Sequence, residues 1–578
     1  MEKKQIAIIG AGIGGLLACK YCLSKGFNPI VFDFGSEIGG VWARTIKTTR
    51  LQIPKAFYQF SDFPWPASVT DEFPTQQEMI DYIRSYANHF NLMPHIKFHS
   101  LVKGISYDGP SSDAWSVWNG TGEAFPPEGK WNVTVEDTKT ATTKVYTVDF
   151  VILCVGRFKD VPNMPKFPAG KGLEVFSGKA IHSQTFAEMD HDAAAEMVKG
   201  KRVVVVGFGK SGLDIARECA DINGPENPCT IVYRRDHWKV SNWYPMGIPF
   251  VNFIFSRFTM LMVHKPGEGL LLSLLATLLS PLRWVVWKFV ESYAKMTLPL
   301  HKFDMVPQQG VLKDMNSGLI CYMPDPDNFF DAVKKGSIKL QKTPSFTFSE
   351  KGICLKDDDT QIKADIVIFA TGFNGVEKIK KFFESPTFSH YIADSPRVGY
   401  NKTKQNKAHN KQQQQTQQVN NTAPPPSATA SAPAVLLQPT AVLLQPTTVL
   451  LQTAAVLLRP FFTGVECIHP RIPQLAIIGF SDAVSSLFIS ETRCKWLTAL
   501  LEGSFKLPTI NEMQIDITRW DEYMKQSSGE DHHRSFLGAM EIWYNDQLCK
   551  DMGVNPMRKK GLLANLFEAH GPIDYAQI

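Results

Sequence analysis

Two glycine-rich turns constrain the fold of this chain most, because each directly follows a short run of strand-forming apolar residues. The first lies in KKQIAIIGAGIGGLLA near the N-terminus, and the second lies in GKRVVVVGFGKSGLDIA, residues 200–216. In such strand–turn–helix units the glycines allow a tight turn, a close approach of backbone to pyrophosphate, and close helix–strand packing. The sequence therefore predicts two dinucleotide cradles, formed by Gly10, Gly12 and Gly15 and by Gly207, Gly209, Ser211 and Gly212.

The strands that follow the two turns end in residues of opposite charge. NPIVFDF contains Asp33, whose carboxylate can accept hydrogen bonds from ribose hydroxyls. CTIVYRRDHW carries Arg234 and Arg235 at the corresponding place, where a guanidinium pair binds a 2′-phosphate that a carboxylate would repel. We therefore predict FAD or NAD in the first cradle and NADPH in the second. A protein that holds FAD and NADPH can pass a hydride between them, which indicates a two-dinucleotide flavoprotein.

Short apolar strands alternate with helical stretches, as in parallel sheets covered by helices. The predicted fold class is α/β, with two Rossmann-like domains, because 578 residues are too many for one hydrophobic core. The NADPH domain is expected to interrupt the FAD domain. The predicted boundaries are 1–168 for the first part of the FAD-binding domain, 169–342 for the NADPH-binding domain with an apolar helical insertion, 343–400 for the second part of the FAD-binding domain, 401–460 for a low-complexity disordered insertion, and 461–578 for the end of the FAD-binding domain with a C-terminal helical region.

Residues 401–460 differ in composition from everything around them. They begin basic and glutamine-rich, pass through a Pro/Ser/Ala stretch, and end in repeats of AVLLQPT. A seven-residue apolar repeat is typical of a coiled coil, but Pro439, Pro446 and Pro460 would break such a helix. The composition therefore predicts solvated low complexity. The sequence leaves open whether this is a selected insertion or translated non-coding sequence.

A reduced flavin can pass electrons to a disulfide, to a protein partner or to dioxygen. A disulfide reductase needs a redox-active cysteine pair, and the second domain carries only Cys219, Cys229 and Cys321, none of them closely paired. No convincing catalytic triad is present in the sequence. No metal site is predicted either, because the C-x-x-C of Cys19 and Cys22 has no second cysteine pair at zinc-like spacing. The disulfide acceptor is therefore weakly supported, and the choice between the other two acceptors rests on the segment described next.

One segment between the two domains carries a family signature. FSGKAIHSQTF, residues 176–186, resembles the F-x-G-x-x-x-H-S-x-x-(Y/F) motif of flavin-containing monooxygenases, with His182 and Ser183 in the motif and Phe186 at its end. Baeyer–Villiger enzymes end a related motif in Trp. EIGGVW (containing Gly40 and Trp42), FSDFPWP and FATGF resemble other landmarks of the family, and HPRIPQLAIIGFSD and RCKWL resemble its plant branch. The resemblance covers nearly the whole chain except residues 401–460.

The resemblance implies an FAD- and NADPH-dependent monooxygenase. In such enzymes NADPH reduces FAD, dioxygen forms a flavin C4a-hydroperoxide, and a soft nucleophile such as an amine or a sulfide takes the distal oxygen. Similarity to the plant branch favours N-hydroxylation of an amine or an amino acid such as pipecolate. Two alternatives stay open: an uncoupled NADPH oxidase that produces hydrogen peroxide, and a catalytically inactive flavoprotein scaffold.

The resemblance also suggests further site residues. Family members place an asparagine near the flavin in a T-N-x-x-K stretch, and the matching LQIPK puts Gln52 in that position. Gln52 is therefore the expected catalytic residue, the polar group nearest the reactive oxygen. Gly40 and Trp42 are expected beside FAD, and His182 and Ser183 at the NADPH pocket, with the His182 imidazole neutral and hydrogen-bonded to backbone.

Charge and hydropathy restrict the partners. A net charge of +5 on a chain of this size does not indicate a nucleic-acid partner. The longest uncharged apolar run, residues 269–282, has 14 residues, fewer than the roughly 20 that a membrane span needs. We therefore predict a cytoplasmic protein without a transmembrane span, and contact with a membrane surface, such as that of the endoplasmic reticulum, stays open. The sequence does not indicate an oligomeric state.

Overall fold

A computed structural model describes residues 3–241, 247, 250–323, 326–356, 360–394, 467–529 and 536–578. The predicted insertion, residues 401–460, lies outside the described residues. Strands and helices are numbered in chain order over the described residues.

The strands are short and mostly apolar. They are β1 Gln5–Ile9, β2 Asn28–Phe32, β3 Ile96–Lys97, β4 Ser100–Asp108, β5 Lys130–Asp137, β6 Thr143–Val148, β7 Phe150–Leu153, β8 Lys179–His182, β9 Val203–Val206, β10 Cys229–Tyr233, β11 Lys239–Val240, β12 Cys321–Tyr322, β13 Ile338–Lys342, β14 Phe346–Ser349, β15 Gly352–Leu355, β16 Gln361–Lys363, β17 Ile366–Phe369 and β18 Leu475–Ile477.

The helices cover the sheets and form the C-terminal region. They are α1 Ile13–Ser24, α2 Gln76–His89, α3 Ser183–Glu188, α4 His191–Val198, α5 Lys210–Asn223, α6 Val251–Ile254, α7 Arg257–Leu261, α8 Leu270–Leu278, α9 Ser280–Thr297, α10 Val311–Asn316, α11 Pro326–Lys334, α12 Gly375–Lys380, α13 Pro386–Asp394, α14 Ser486–Glu502, α15 Ile510–Ser528, α16 Glu541–Asp551 and α17 Leu562–Phe567.

Two five-stranded parallel sheets share the order of four strands and differ in the outermost one, which comes last in the chain in the first sheet and first in the second. The first runs β18–β7–β1–β2–β3, and the second runs β8–β17–β9–β10–β13. The interior strands β7 and β9 are buried along their whole length, which explains their uninterrupted apolar sequences. The predicted α/β class with two Rossmann-like units is confirmed.

A three-stranded antiparallel sheet precedes the fourth strand of each unit. β4–β5–β6 comes directly before β7, and β14–β15–β16 comes directly before β17. The two units therefore repeat one topology in four of their five parallel strands, and the outermost strands β18 and β8 differ. This corrects one predicted boundary: residues 343–400 were expected in the FAD-binding domain, but β17 pairs with β8 and β9 in the second sheet. The pairing is non-local, and the sequence of β17 alone does not reveal it.

The chain returns to the first unit after β17. Ile379, Phe383 and Ile392, from α12 and α13 and the turn between them, pack in one core cluster with residues of β1 and β7. Beyond the undescribed stretch, β18 is held by side chains of the first unit. The indole N–H groups of Trp118 and Trp131 donate to the carbonyls of residues 472 and 473 at 3.0 and 3.1 Å.

Helix α14 is buried along nearly its whole length, and its N-terminal end contacts an acidic side chain from α16. Glu541 is fully buried, and its Oε2 accepts a hydrogen bond from the N–H of Ser485 at 3.1 Å. Its Oε1 has no hydrogen-bond partner among the described residues. Burial raises the pKa of Glu541 from 4.5 to about 8, although backbone N–H groups and Arg493 oppose the rise.

Replacing Glu541 with glutamine is expected to stabilise the protein in a pH-dependent way. The folded-state pKa is raised, so the wild type loses stability as the pH rises from 4.5 through about 8, while the neutral amide does not. Each pH unit in that interval costs the wild type about 1.4 kcal/mol as an upper bound. Urea unfolding at about pH 5 and about pH 8 measures the difference, with the exposed Glu568→Gln as the control. A stability gain that is equal at both pH values would contradict this interpretation.

Candidate functional site

The first glycine turn has no room for side chains at two of its positions. Gly10 has φ +105°, and a Cβ there would lie 2.6 Å from the carbonyl oxygen of Cys154. A Cβ on Gly15 would lie 1.9 Å from the oxygen of Gly10, because α1 packs directly on the turn. Gly12 instead faces Gly40, whose own Cβ would approach the Gly12 Cα at 3.1 Å. The glycines thus fix the turn and bring a second backbone segment against it.

That second segment is the EIGGVW stretch predicted from the sequence. The N–H of Gly39 donates to the carbonyl of Ala11 at 3.0 Å, which attaches the segment to the turn. The carbonyl of Trp42 accepts from Nε2 of Gln76 at 2.8 Å, and the indole packs edge-on against Tyr58 at 6.3 Å between ring centroids. Gly40 therefore lies against the first turn, Trp42, two residues later, packs on Tyr58, and contact of either residue with FAD stays a prediction.

Asp33 follows β2 and binds the cradle backbone. Its Oδ2 accepts from the N–H of Ala11 and its Oδ1 from the N–H of Gly35, both at 2.7 Å. A carboxylate has about four acceptor positions, so two backbone hydrogen bonds leave capacity for a ribose hydroxyl. In this structure the two hydrogen bonds of Asp33 hold the backbone of the turn in place.

The second glycine turn repeats the first. Gly207 has φ +126°, and a Cβ there would lie 2.4 Å from the oxygen of Ala370; a Cβ on Gly212 would lie 2.4 Å from the oxygen of Gly207. At Gly209 a Cβ would meet no atom within 4 Å, so the glycine leaves open space at the start of α5. Ser211 is exposed in the first turn of that helix.

The two units can be aligned through one equivalent hydrogen bond. The first glycine of each turn donates to the neighbouring strand, to the carbonyl of Phe32 at 2.8 Å in one unit and of Val232 at 2.9 Å in the other. The counterpart of Asp33 is therefore Tyr233, and the predicted position of the arginines opposite Asp33 is wrong by one residue. Arg234 comes one position later, and both it and the next arginine are exposed.

The starts of α1 and α5 can accept phosphate groups. Each helix has a glycine at its N-cap, Gly12 or Gly209, and neither has a side chain capping its N-terminus. Within the part of the chain that the structure describes, the first N–H groups of these helices therefore have no intrahelical or side-chain acceptor, and the helix dipoles favour an anion there. The residues present fit a dinucleotide pyrophosphate at both turns.

The two cradles are joined by the segments that leave β7 and β17. The N–H of Asn163 donates to the carbonyl of Gly372, and the N–H of Asn374 donates to the carbonyl of Val161, both at 2.8 Å. Buried Lys378 reinforces this boundary, because its ammonium group pairs with Asp160 at 2.6 Å. The segments that follow the carboxyl ends of one strand from each sheet thus meet at one boundary, and dinucleotides bind at such strand ends.

A family model described as flavin-binding monooxygenase-like matches residues 3–386. The chain belongs to the flavin-containing monooxygenase family. This monooxygenase is 33% identical over 580 residues to the probable flavin-containing monooxygenase 1 of Arabidopsis thaliana. The match covers all of this chain and 96% of the relative. It is therefore an oxidoreductase that uses FAD, NADPH and dioxygen to oxygenate a small molecule.

Two further similarities are more distant. The chain is 27% identical over 401 residues to the N-oxide-forming dimethylaniline monooxygenase 4 of Mus musculus, a match that covers 66% of this chain and 60% of the mouse protein. A solved structure of oxidised steroid monooxygenase bound to NADP superposes with a TM-score of 0.58 at 15% identity, covering 96% of this chain and 98% of that one. The latter similarity shows that the two proteins share a fold.

Gln52 lies on a loop of the first unit that reaches the second. The carbonyl of Thr45 lies 3.3 Å from Nε2 of His191, and the Thr49 side chain hydrogen-bonds Asp214 on α5. Gln52 is exposed on this loop. In the monooxygenase the predicted catalytic glutamine is thus carried by a segment that contacts the helix of the second cradle.

His182 and Ser183 end β8 and begin α3 in the second unit of the monooxygenase. Nδ1 of His182 accepts from the N–H of Gln184 at 3.1 Å, and its ring lies 5.0 Å from that of Phe373. Burial lowers the pKa of His182, with some opposition from the backbone of Gly372, so the imidazole is neutral near pH 7. The expected hydrogen bond to backbone is present, and contact of either residue with NADPH stays a prediction.

One charged residue beside the second cradle has no sequence signature. Lys239 is fully buried, and its ammonium group lies 3.8 Å from the centroid of Phe208, the residue between the first two glycines of the second turn. It donates to the carbonyl of His237 at 3.1 Å, and burial lowers the pKa of Lys239 to about 8. Lys239 follows Trp238 and begins a two-residue strand. Nothing in this local sequence indicates that the lysine is buried beside the second turn.

Proposed function

We propose that this monooxygenase N-oxygenates a small amine or amino acid such as pipecolate. The observation that supports it most is the pair of uncapped helix N-termini, at Gly12 and Gly209, in two units whose strand ends meet at one boundary. The N-oxide-forming name of the mouse relative and the similarity to a plant monooxygenase favour nitrogen as the oxygenated atom.

The glycine turns would hold the two cofactors. FAD would lie at α1, with Asp33 toward the ribose and Gly40 and Trp42 beside it, and NADPH would lie at α5 with Arg234 and Arg235 toward the 2′-phosphate. Bound FAD supplies the oxygen-activating chemistry that no side chain can provide. On this assignment the described residues among 3–168 and from 375 onward form the FAD domain, and the described residues among 169–369 form the NADPH domain.

The protein side chains then have to bind and orient the cofactors and the substrate. They also have to exclude water. Tyr58 is buried behind Trp42, and buried Lys378 holds the linker between the units, so both keep the cradles in fixed positions. The Gln52 amide would donate toward the reactive oxygen or the nicotinamide carboxamide, with a longer arm than asparagine has. Exclusion of water limits the loss of activated oxygen as hydrogen peroxide.

The proposed function is tested by measuring product per NADPH consumed. We expect N-hydroxylated product in near-stoichiometric amount with pipecolate or another small amine, measured by mass spectrometry beside NADPH absorbance. Hydrogen peroxide in place of product, with every amine tried, would establish the uncoupled oxidase. A purified protein that binds no flavin would establish the inactive scaffold.

Replacing Gln52 with alanine is expected to uncouple NADPH consumption from oxygenation. Loss of one hydrogen bond to a charged group is worth roughly 1.5–3 kcal/mol, so the ratio of product to peroxide should fall about tenfold or more. Flavin content should stay unchanged, and Gln52→Asn should recover part of the coupling. The control is Gln77→Ala, which removes an exposed glutamine that pairs with Asp81 on α2. Unchanged coupling in Gln52→Ala would remove the residue from the site.

A further inference from the structure

Lys239 has fewer partners than the other buried lysines of the described chain. Its ammonium group has one oxygen acceptor among the described residues, the carbonyl of His237 at 3.1 Å, and it forms no ion pair with a described carboxylate. A lysine is rarely buried completely without a paired charge. Each of the others binds two or more oxygen atoms; they are Lys20, Lys265, Lys378 and Lys495.

The backbone that carries Lys239 is held on both sides. The N–H of Trp238 donates to a carboxylate oxygen of buried Asp314 at 2.7 Å. Strand β11 pairs with β12, where the N–H of Cys321 donates to the carbonyl of Trp238 at 2.9 Å. These hydrogen bonds, together with complete burial of the side chain, hold the ammonium group beside the second glycine turn.

The ring of Phe208, in that turn, lies between a tyrosine and this ammonium group. The ring centroids of Phe208 and Tyr233 are 4.1 Å apart, and the Lys239 ammonium group lies 3.8 Å from the Phe208 centroid. Two groups at such distances cannot share one face of a ring, so they occupy opposite faces. Tyr233 is the counterpart of Asp33, whose carboxylate binds the first turn. The second turn therefore has a cation behind an aromatic stack where the first turn has an anion.

The carboxylates that act on Lys239 are engaged with other groups. Asp236 pairs with Lys342 at 2.6 Å, and Asp314 accepts the N–H of the residue before Lys239. Burial raises the pKa of Cys321 to about 11, so this third group that acts on Lys239 is a neutral thiol near pH 7. A buried charge is screened less than an exposed one, and a nearby anion offsets the cost of burying it.

We propose that Lys239 is a binding determinant of the second cradle, whose buried ammonium group attracts the pyrophosphate of the bound nicotinamide dinucleotide. The pyrophosphate is expected at the glycine turn that contains Phe208 and at the N-terminus of α5. This inference rests on the proposed assignment of NADPH to the second cradle. It adds a cation that acts on the part shared by NADPH and NADH, whereas Arg234 and Arg235 are assigned to the 2′-phosphate.

The test is the affinity of the full-length flavoprotein for NADP⁺ and for NAD⁺, measured by isothermal titration calorimetry. Lys239→Met removes the charge and keeps a long unbranched side chain, so both affinities should fall by the same factor, about tenfold. The thermal unfolding midpoint should stay equal or rise, because an apolar side chain replaces an unpaired buried charge. The matched control is Lys339→Met on β13, an exposed lysine of the second sheet, which should bind both dinucleotides as the wild type does.

The affinity of the wild type should also depend on pH. Burial lowers the pKa of Lys239 to about 8, so the ammonium form is present below that pH and is lost above it. Binding of NADP⁺ is compared at about pH 7 and about pH 9. We expect the wild type to lose most of its advantage over Lys239→Met at the higher pH, while the affinity of the variant changes little.

Other results would overturn the proposal. Unchanged affinity in Lys239→Met, beside a fall for NADP⁺ when Arg234 and Arg235 are both replaced with alanine, would keep the cradle assignment and remove Lys239 from it. Unchanged affinity in both variants would contradict the assignment of NADPH to the second cradle. A fall for NADP⁺ alone in Lys239→Met would exclude action on the shared pyrophosphate. A lower unfolding midpoint in this variant would show that the lysine supports the fold.

Discussion

Replacing Gly15 with alanine is expected to yield a protein without bound flavin, whereas alanine at the adjacent Gly14 leaves flavin content unchanged. A Cβ at Gly15 would lie 1.9 Å from the carbonyl oxygen of Gly10. The backbone segments that carry Gly15 and Gly10 cannot move apart without opening the turn. A Cβ at Gly14 would meet Ile478 at 3.6 Å, an ordinary van der Waals distance. Alanine is also a better helix former than glycine by roughly 0.5–1 kcal/mol.

The measurement is visible flavin absorbance per mole of purified protein, together with the thermal unfolding midpoint. We expect Gly15→Ala to lose nearly all flavin and Gly14→Ala to match or exceed the wild type in stability. Because the two glycines are neighbours in α1, a general effect of mutating this helix would lower both. Full flavin content in Gly15→Ala would show that the turn is not the FAD cradle.

Replacing Arg234 and Arg235 with alanine is expected to remove the preference for NADPH over NADH. Each guanidinium hydrogen bond to a phosphate is worth roughly 1.5–3 kcal/mol, or about 10- to 100-fold in affinity. The 2′-phosphate is absent from NADH, so kcat/KM for flavin reduction should fall with NADPH and change little with NADH. The single variant Arg234→Ala should show the larger part of the effect, because this residue directly follows the strand.

Anaerobic stopped-flow reduction with each coenzyme measures the two rates. The control is Arg217→Ala, which removes an arginine on α5 that pairs with Asp221 at 2.8 Å and does not belong to the predicted pocket. An equal fall with NADPH and NADH would mean that the arginines support the cradle without reading the 2′-phosphate. A fall with NADH alone would contradict the assignment of the second cradle to NADPH.

The glycine turns were predictable because their requirements are local. Positive φ at Gly10 and Gly207, and the contacts that exclude a Cβ at Gly15 and Gly212, follow from one strand–turn–helix unit. The sheet that β17 joins was not predictable in the same way. Its sequence has the same form as that of β7, and its place depends on pairing with β8 and β9, far away in the chain.

The exact end of a strand and the exposure of a side chain were also not predictable from the sequence. The arginines are displaced by one residue relative to Asp33 because β10 continues to Tyr233, and a single residue lies within the error of any sequence pattern. Burial of Lys239 against Phe208 depends on how β11 packs on the second cradle. The apolar run of residues 269–282 was visible in the sequence, but its outward direction was decided by which face of α9 packs on the protein.

The different chain positions of the outermost strands, β18 and β8, have a consequence for biosynthesis. All strands of the second sheet lie between residues 179 and 369, so that sheet can close while the rest of the chain is still being translated. The first sheet begins at residue 5 but receives β18 only at residue 475. Until then the outer edge of β7 has no partner strand, and exposed strand edges recruit other chains. The first unit therefore completes its sheet last, although its glycine turn is the first to leave the ribosome, and we expect its nascent form to be the more prone to aggregation.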